Sequence, residues 1–203
     1  AVASVLPNLY SEQALREFLD AHIPRASDTL LDRARRADQA GDHDQALALL
    51  RQALALDPAN DQMKIELARL LFERGDHEQS AQILNGVSSR QADAPGASGL
   101  RARLEFARIA GPSHPPDERQ LAELHETLAA NPADCEARYR LSALAVLRGD
   151  YDGALAQLLE IVKRDRRFRD DAGRRGVLAV FNILGGQGEL VQKYRTLLAS
   201  ALY

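Results

Sequence analysis

A repeat with a period of 34 residues is the feature of this 203-residue sequence that most limits its fold. The segment GDHDQALALL, which begins at Gly41, recurs from Gly149 as GDYDGALAQL with seven identities in ten positions. A third copy, GDHEQSAQIL, begins at Gly75, which lies 34 residues after Gly41 and two periods plus six residues before Gly149. Periods of this size are typical of stacked supersecondary units. The sequence therefore predicts an array of repeats rather than one central core.

Each repeat is interpreted as two helices joined by a tight turn. Gly41 can take the left-handed conformation that ends a helix, and Asp42 or Asp44 can cap the next one. Pro58 then ends the second helix, because proline removes a backbone donor and clashes with the preceding turn. The pattern predicts helix pairs at about 28–56, 61–86, 98–130 and 134–164.

The amino-acid composition is typical of an all-helical protein in aqueous solution. Hydrophobic residues make up 45% of the chain, aromatic residues only 5%, and tryptophan is absent, which favours helices packed through alanine and leucine. A net charge of −3 gives no overall attraction to nucleic acid or an anionic membrane, and no apolar run reaches the ~20 residues of a membrane span. The single cysteine, Cys135, cannot form an intramolecular disulfide. We expect a cytoplasmic protein without nucleic-acid or membrane partners.

No residue pattern indicates catalysis, a metal site or a cofactor. His43 and His77 occupy equivalent repeat positions, which Tyr151 fills in another copy, so packing explains them better than metal binding. Cys135 opens a helix, where a thiol pKa can fall, but it has no resolving cysteine, so a buried or idle thiol is favoured. The stretch GGQG at 185–188 follows no strand, as a phosphate-binding loop would require, and is interpreted as a hairpin turn. We expect a protein that is not an enzyme and has no cofactor.

A basic stretch, KRDRRFRDDAGRR, runs from residue 163 to residue 175. Its seven basic residues are interrupted by three aspartates, and only Phe168 could stack on a base. We interpret it as a solvated face that also positions the terminal helices, rather than as a nucleic-acid surface.

The period and its glycine and proline positions resemble tetratricopeptide repeats over residues 27–165. The predicted fold class is all-α, a tetratricopeptide-type helical hairpin solenoid with C-terminal capping helices. Two other segments resemble bacterial chaperedoxins, in which tetratricopeptide repeats follow a thioredoxin-like domain. SEQALREFLDAHIPR, at 11–25, resembles the last helix of the thioredoxin fold, and the segment 158–203 resembles the terminal part of the family.

The resemblance implies three parts of the chain. Residues 1–26 would be the last strand and helix of a thioredoxin-like domain with a linker, so the opening AVASVL is expected to follow a cut inside a longer protein. Residues 27–165 would hold four helix pairs, the third degenerate, and residues 166–203 a C-terminal helix pair.

Chaperedoxins bind unfolding proteins and deliver them to the bacterial chaperonin. The resemblance therefore implies a non-enzymatic holdase and co-chaperone, whose partners are unfolded or aggregation-prone proteins and the bacterial chaperonin. The alternative is a generic repeat adaptor for one folded protein partner.

Two sets of residues are candidates for these contacts. On the first helices of the pairs, a partly apolar face rimmed by arginines would suit extended clients, unless its side chains form interhelical core instead. These client-groove candidates are Leu31, Arg35, Ile65, Arg69, Phe72, Tyr139 and Val146. The terminal helix meets the chaperonin in the family, unless it serves here as a structural cap. By position in the matching segment, the docking candidates are Tyr194, Arg195, Leu198, Leu202 and Tyr203.

Overall fold

The computed structural model describes residues 25–111 and 118–202, and these residues form ten helices and no strand. The helices are α1 (Ala26–Gln39), α2 (His43–Leu56), α3 (Asp61–Glu73), α4 (His77–Asn85), α5 (Pro95–Ala110), α6 (Glu118–Ala130), α7 (Cys135–Leu147), α8 (Tyr151–Arg164), α9 (Ala172–Ile183) and α10 (Glu189–Leu202). The predicted all-α fold class of tetratricopeptide-type helical hairpins is confirmed. The thioredoxin-like remnant predicted for the first 26 residues lies almost wholly outside the described residues, as does Tyr203, and the predicted domain limits stay predictions.

The helix boundaries follow the repeat pattern closely. The four predicted pairs correspond to α1 with α2, α3 with α4, α5 with α6, and α7 with α8. The main difference is at α5, which begins at Pro95 because proline is well suited to the first position of a helix.

The repeated glycine forms the same turn in each of its three copies. Gly41, Gly75 and Gly149 have φ angles of +81°, +85° and +77°, a region that strains residues with a side chain. The amide of the following aspartate donates to a carbonyl five residues back, at 2.9 Å in every copy. This bonding closes the end of the first helix and explains why the sequence repeats glycine there.

The aspartate after each glycine begins the second helix. Asp42 accepts a hydrogen bond from the Gln45 amide at 3.1 Å, so Asp42 rather than Asp44 is the cap. Asp150 caps α8 in the same way, whereas Asp76 makes no side-chain capping bond. The repeated aspartate therefore caps the second helix with its side chain at two of the three copies.

The chain separates into two compact units, one ending at Leu70 and the other beginning at Leu71. In the first unit, α1 packs against α2. Leu47, Leu50 and Ala53 of α2 are buried there together with Ala34 of α1. Alanines allow the two helix backbones to approach closely, as the repeat pattern requires.

The second unit is organised around α8. Helices α7, α9 and α10 all pack against α8, and α5 packs against both α7 and α9. Leu155, Leu158 and Ile161 of α8 are completely buried. Gly176 of α9 faces Leu158 so closely that a β-carbon added there would lie 2.6 Å from the Leu158 Cδ2 atom. Small residues on α9 therefore permit a tight crossing with the central helix.

Each helix within the two described ranges is too short or too polar to cross a lipid bilayer.

Candidate protein-interaction surfaces

The predicted client groove is largely internal. Leu31, Phe72, Tyr139 and Val146 are each at most 9% exposed, and Ile65 is half-buried. The first four therefore occupy interhelical core, the alternative that the sequence left open for them.

The two arginines of this set belong to an ion-pair network in the first unit. Arg35 lies 3.7 Å from a carboxylate oxygen of Glu66, and Arg69 donates to Glu66 at 3.2 Å. Arg69 also bonds to Asp38, at the end of α1. Burial raises the pKa of Asp38, but hydrogen bonds from Arg69 and His43 outweigh it and hold that pKa below its usual value. Arg35 and Arg69 thus tie α3 to α1.

Tyr139 lies where α5, α7 and the turn after α8 meet. Its ring packs edge-on against Phe168, with 5.8 Å between the centroids, and the guanidinium carbon of Arg169 lies 5.9 Å from its centre. Burial and the nearby Glu105 carboxylate raise the pKa of the Tyr139 phenol, so it stays protonated at neutral pH.

The last helix pair carries an open apolar cleft of about 550 Å³. It is lined by Leu178, Phe181, Asn182, Gly186, Arg195, Leu198, Ala199 and Leu202. Among the described residues, the exposed large apolar side chains are Leu178, Leu197 and Leu56, at 43%, 40% and 60%. Two of these three belong to α9 and α10. Leu178 is therefore an exposed apolar side chain that lines the cleft, whereas Leu197 is exposed on α10 outside its lining.

The predicted docking residues are divided between this cleft and the core. Arg195, Leu198 and Leu202 line the cleft. Tyr194 faces α8 instead, where its hydroxyl donates to the backbone carbonyl of Asp152 at 3.1 Å. Burial, followed by the nearby Asp152 carboxylate, raises the pKa of Tyr194 to about 12. One side of α10 thus packs against α8, and another side lines the cleft.

Arg195 is held in a defined position at the cleft. Its Nη2 atom donates to the carbonyl oxygen of Gly186 at 2.9 Å, and its guanidinium carbon lies 5.7 Å from the centre of the Phe181 ring. The GGQG stretch, which contains Gly186, forms the turn between α9 and α10, as the sequence predicted. All three of its glycines have positive φ angles.

Contacts that the sequence analysis did not identify hold the end of α10. Arg166 donates to the backbone carbonyls of Ala201 at 2.6 Å and Leu202 at 3.0 Å. These carbonyls have no partner inside the helix, so the arginine satisfies them. The basic stretch thus helps to position the terminal helix. Leu178 of the cleft was also missed, because the apolar run of α9 contains no signal that separates an exposed leucine from buried ones.

The described residues contain no chemistry that points to catalysis. Burial, followed by the nearby Asp165 carboxylate, raises the pKa of the Cys135 thiol, which is the opposite of an activated nucleophile. Within residues 25–111 and 118–202, no group of three histidine, cysteine or acidic side chains could hold a metal ion.

Two family models of the tetratricopeptide repeat match the sequence, one over residues 39–104 and the other over residues 114–203. An uncharacterized protein of Haemophilus influenzae is 25% identical over 198 residues, which cover 97% of this chain and 88% of that protein. Cellulose synthase 2 operon protein C of Komagataeibacter xylinus is 40% identical over 72 residues, 35% of this chain but 5% of that protein.

Solved structures also resemble the chain. A domain of a Vibrio parahaemolyticus protein of unknown function, VP0806, is 25% identical with a TM-score of 0.38, covering 87% of this chain and 99% of the domain. A crystal structure of MamA is 19% identical with a TM-score of 0.37, covering 83% of this chain and 92% of MamA.

Proposed function

This chain contains tetratricopeptide repeats, a fold that generally binds proteins and is generally non-enzymatic, and from that premise we propose that the cleft between α9 and α10 is its docking surface for the bacterial chaperonin. The observation that carries the proposal is the exposure of Leu178, which lines this cleft. Burying an exposed leucine side chain completely contributes about 1.5–3 kcal/mol to association. The chain would act by binding rather than catalysis, in the cytoplasm where the chaperonin works.

The chemistry of the cleft fits an amphipathic helix of the partner. Stacked repeats bury their apolar faces against neighbours, so the last pair presents a face that another helix can cover. Leu178 is the exposed apolar side chain of the lining, while Phe181 and Leu198, at 4% and 8% exposed, form its buried base. None of the described lining residues is acidic. Arg195, already positioned by Gly186, offers a charged donor without a large ordering cost. We therefore expect the partner helix to carry leucine-like residues and one carboxylate that pairs with Arg195.

The chaperonin itself comes from the resemblance of residues 158–203 to the chaperedoxin family. The client-holding role rests on the same resemblance alone. Geometry favours docking over holding, because Leu31, Phe72, Tyr139 and Val146 are packed inside the protein. A generic adaptor would use the same cleft for a different folded partner.

Co-sedimentation of the full chain with purified bacterial chaperonin tests the proposal. Leu178→Glu places a carboxylate at the cleft, where docking would bury it unpaired, so we expect affinity to fall at least about tenfold. Leu56→Glu is the matched control, because Leu56 is more exposed than Leu178 and belongs to the other compact unit. Both variants should keep the helical content and melting temperature of the unmodified chain.

Three outcomes would contradict parts of the proposal. Equal binding by both variants would show that the cleft is not the docking surface. Failure of the unmodified chain to bind the chaperonin would remove this partner and leave the generic adaptor. Unchanged light scattering of a heat-aggregating client, with the unmodified chain at equimolar amounts, would remove the holdase role.

A further inference from the structure

We propose that Arg166 is a positioning residue for the cleft between α9 and α10. It lies in the turn after α8 and holds the last turn of α10, so that Leu202 stays in the lining of the cleft. Arg166 itself does not belong to the lining, so it would act on a partner only through Leu202. The consequence for binding rests on the proposed docking function, whereas the effect on the shape of the cleft does not.

Packing alone gives the end of α10 little support. Among the described residues of this helix, the last one that is buried is Leu198. Ala199 and Ser200 are exposed, and Ala201 and Leu202 are partly buried. The ends of a chain fray unless other contacts hold them. The last turn, which carries Leu202 to the cleft, therefore needs a contact from outside the helix.

Arg166 supplies that contact. The last four carbonyls of a helix have no partner inside it, and they form the negative end of the helix dipole. The described part of α10 has no basic residue in its own last turn. Arg166 donates through Nη1 to the carbonyl of Leu202 at 3.0 Å and through Nη2 to that of Ala201 at 2.6 Å. One guanidinium thus satisfies two carbonyls and places a positive charge where the helix dipole favours it.

The contacts of Arg166 differ from those of the other basic residues in the stretch 163–175. Four of those side chains pair with carboxylates, namely Lys163 and Arg164 with Glu160, Arg169 with Glu136, and Arg174 with Asp171. Arg166 forms no ion pair within residues 25–111 and 118–202, and its side chain donates to the backbone of α10 instead. The charge of Arg166 therefore acts on the helix end and is not neutralised by a neighbouring carboxylate.

The turn that carries Arg166 is itself held in place. The Asp165 side chain accepts from the Arg167 amide at 3.0 Å, and the Asp165 carbonyl accepts from the Phe168 amide at 3.2 Å. The ring of Phe168 packs edge-on against Tyr139 of α7. Because the backbone on both sides of Arg166 is fixed in this way, its contact with α10 has a small ordering cost. Arg166 thus connects the packing of α7 and α8 to the edge of the cleft.

Loss of this contact would release Leu202 from the cleft. A cation at the C-terminus of a helix shifts the equilibrium between the folded and the frayed last turn by up to about fivefold. The apparent affinity of a partner falls with the fraction of molecules that have the competent arrangement. If the last turn were frayed in about four of five molecules, docking would therefore weaken about fivefold.

Amide hydrogen exchange and chaperonin co-sedimentation of the full chain test the two parts of the proposal separately. In Arg166→Gln, the amides of residues 199–202 should exchange about fivefold faster, while those of the buried Val191 and Tyr194 keep their rates. Chaperonin affinity should fall about fivefold at an unchanged melting temperature. Arg166→Lys keeps a positive donor, so both of its values should lie between those of Arg166→Gln and the unmodified chain.

Arg167→Gln is the matched control. This exposed arginine is the next residue in the same turn, and its side chain forms no hydrogen bond or ion pair within the described residues. Its removal should leave both exchange and affinity unchanged.

The results that would overturn the proposal are distinct from failure of the docking function. Unchanged exchange of residues 199–202 in Arg166→Gln would overturn it, whether or not the chaperonin binds. Faster exchange with unchanged chaperonin affinity would show that docking does not need the last turn of α10. Equal effects of glutamine and lysine at position 166, or of Arg166→Gln and Arg167→Gln, would exclude a positive donor at the helix end as the cause. If the unmodified chain does not bind the chaperonin, the docking function fails, and faster exchange still supports Arg166 as the residue that holds the edge of the cleft.

Discussion

The close crossing of α9 and α8 leads to a prediction about the free energy of unfolding. Whether an alanine at position 176 stabilises or destabilises the protein should depend on one neighbouring side chain, Leu158. Gly176→Ala would place a methyl group 2.6 Å from the Cδ2 atom of Leu158, which is completely buried and has no solvent to move into. Overpacking of this kind costs about 1–3 kcal/mol. Alanine in place of a helix-interior glycine stabilises by about 1 kcal/mol. We therefore expect Gly176→Ala to lower the free energy of unfolding by roughly 1 kcal/mol.

Removing the neighbour should reverse that effect. Leu158→Ala alone costs about 2–5 kcal/mol, because it deletes buried apolar atoms and leaves a cavity. In that background the new methyl group meets no Leu158 methyl, so Gly176→Ala should stabilise by about 1 kcal/mol. The two changes would then show a coupling energy of about 2 kcal/mol in a double-mutant cycle.

Gly99→Ala is the matched control in the same compact unit. A β-carbon at Gly99 would have the Asn182 carbonyl oxygen and the Ile183 Cα atom as its nearest neighbours, both at 3.5 Å, an ordinary contact distance. This change should raise the free energy of unfolding by up to about 1 kcal/mol. Urea denaturation followed by circular dichroism measures the unmodified chain and the four variants. Stabilisation by Gly176→Ala in the unmodified chain, or the same sign in both backgrounds, would refute the packing argument.

Three further predictions concern single side chains. The pKa of Tyr194 is about 12 in the folded chain against an ordinary 10.0, so folding favours the protonated phenol. Its contribution is complete below pH 10 and is lost as the pH rises towards 12, and Tyr194→Phe should remove this alkaline dependence in urea titrations. Asp150→Ala should cost about 1 kcal/mol through the lost helix cap, and Asp76→Ala clearly less, since Asp76 makes no capping bond. Equal losses in the two aspartate variants would contradict the capping argument. Cys135 should react with iodoacetamide at neutral pH more slowly than a free cysteine peptide, because its thiol pKa is raised, and faster alkylation would contradict that environment.

The repeat turns were predictable from the sequence because their cause is local. A left-handed residue is required where the first helix ends, and glycine adopts it without strain. The φ angles of Gly41, Gly75 and Gly149 therefore follow from the spacing of three residues along the chain. The sequence predicted a capping aspartate after Gly41 as either Asp42 or Asp44, and the structure assigns the cap to Asp42; Asp76, in the same repeat position, makes no capping bond.

In the terminal helix α10, the sequence did not predict which apolar residues a neighbouring helix covers. Tyr194 and Leu198 are four residues apart on one apolar stripe, and the sequence predicts the same role for both. Helix α8 covers Tyr194 and accepts its hydroxyl bond through Asp152, while Leu198, itself only 8% exposed, borders the cleft. A helical period shows which side of a helix is apolar, but it does not show how far each neighbour extends along that side.

The sequence by itself determined the all-helical fold class and the repeated glycine turns, because backbone hydrogen bonds and φ preferences act within a few residues of the chain. Only the tertiary structure decided which apolar residues are core and which are surface. Phe72 is internal whereas Leu178 is exposed, although each belongs to an apolar stretch of a helix. It also decided that Tyr139 and Arg169, far apart in sequence, meet, with the Arg169 guanidinium carbon 5.9 Å from the centre of the Tyr139 ring. Exposure and charge clustering depend on the packing of helices that are distant along the chain, and the period of a single helix carries no information about that packing.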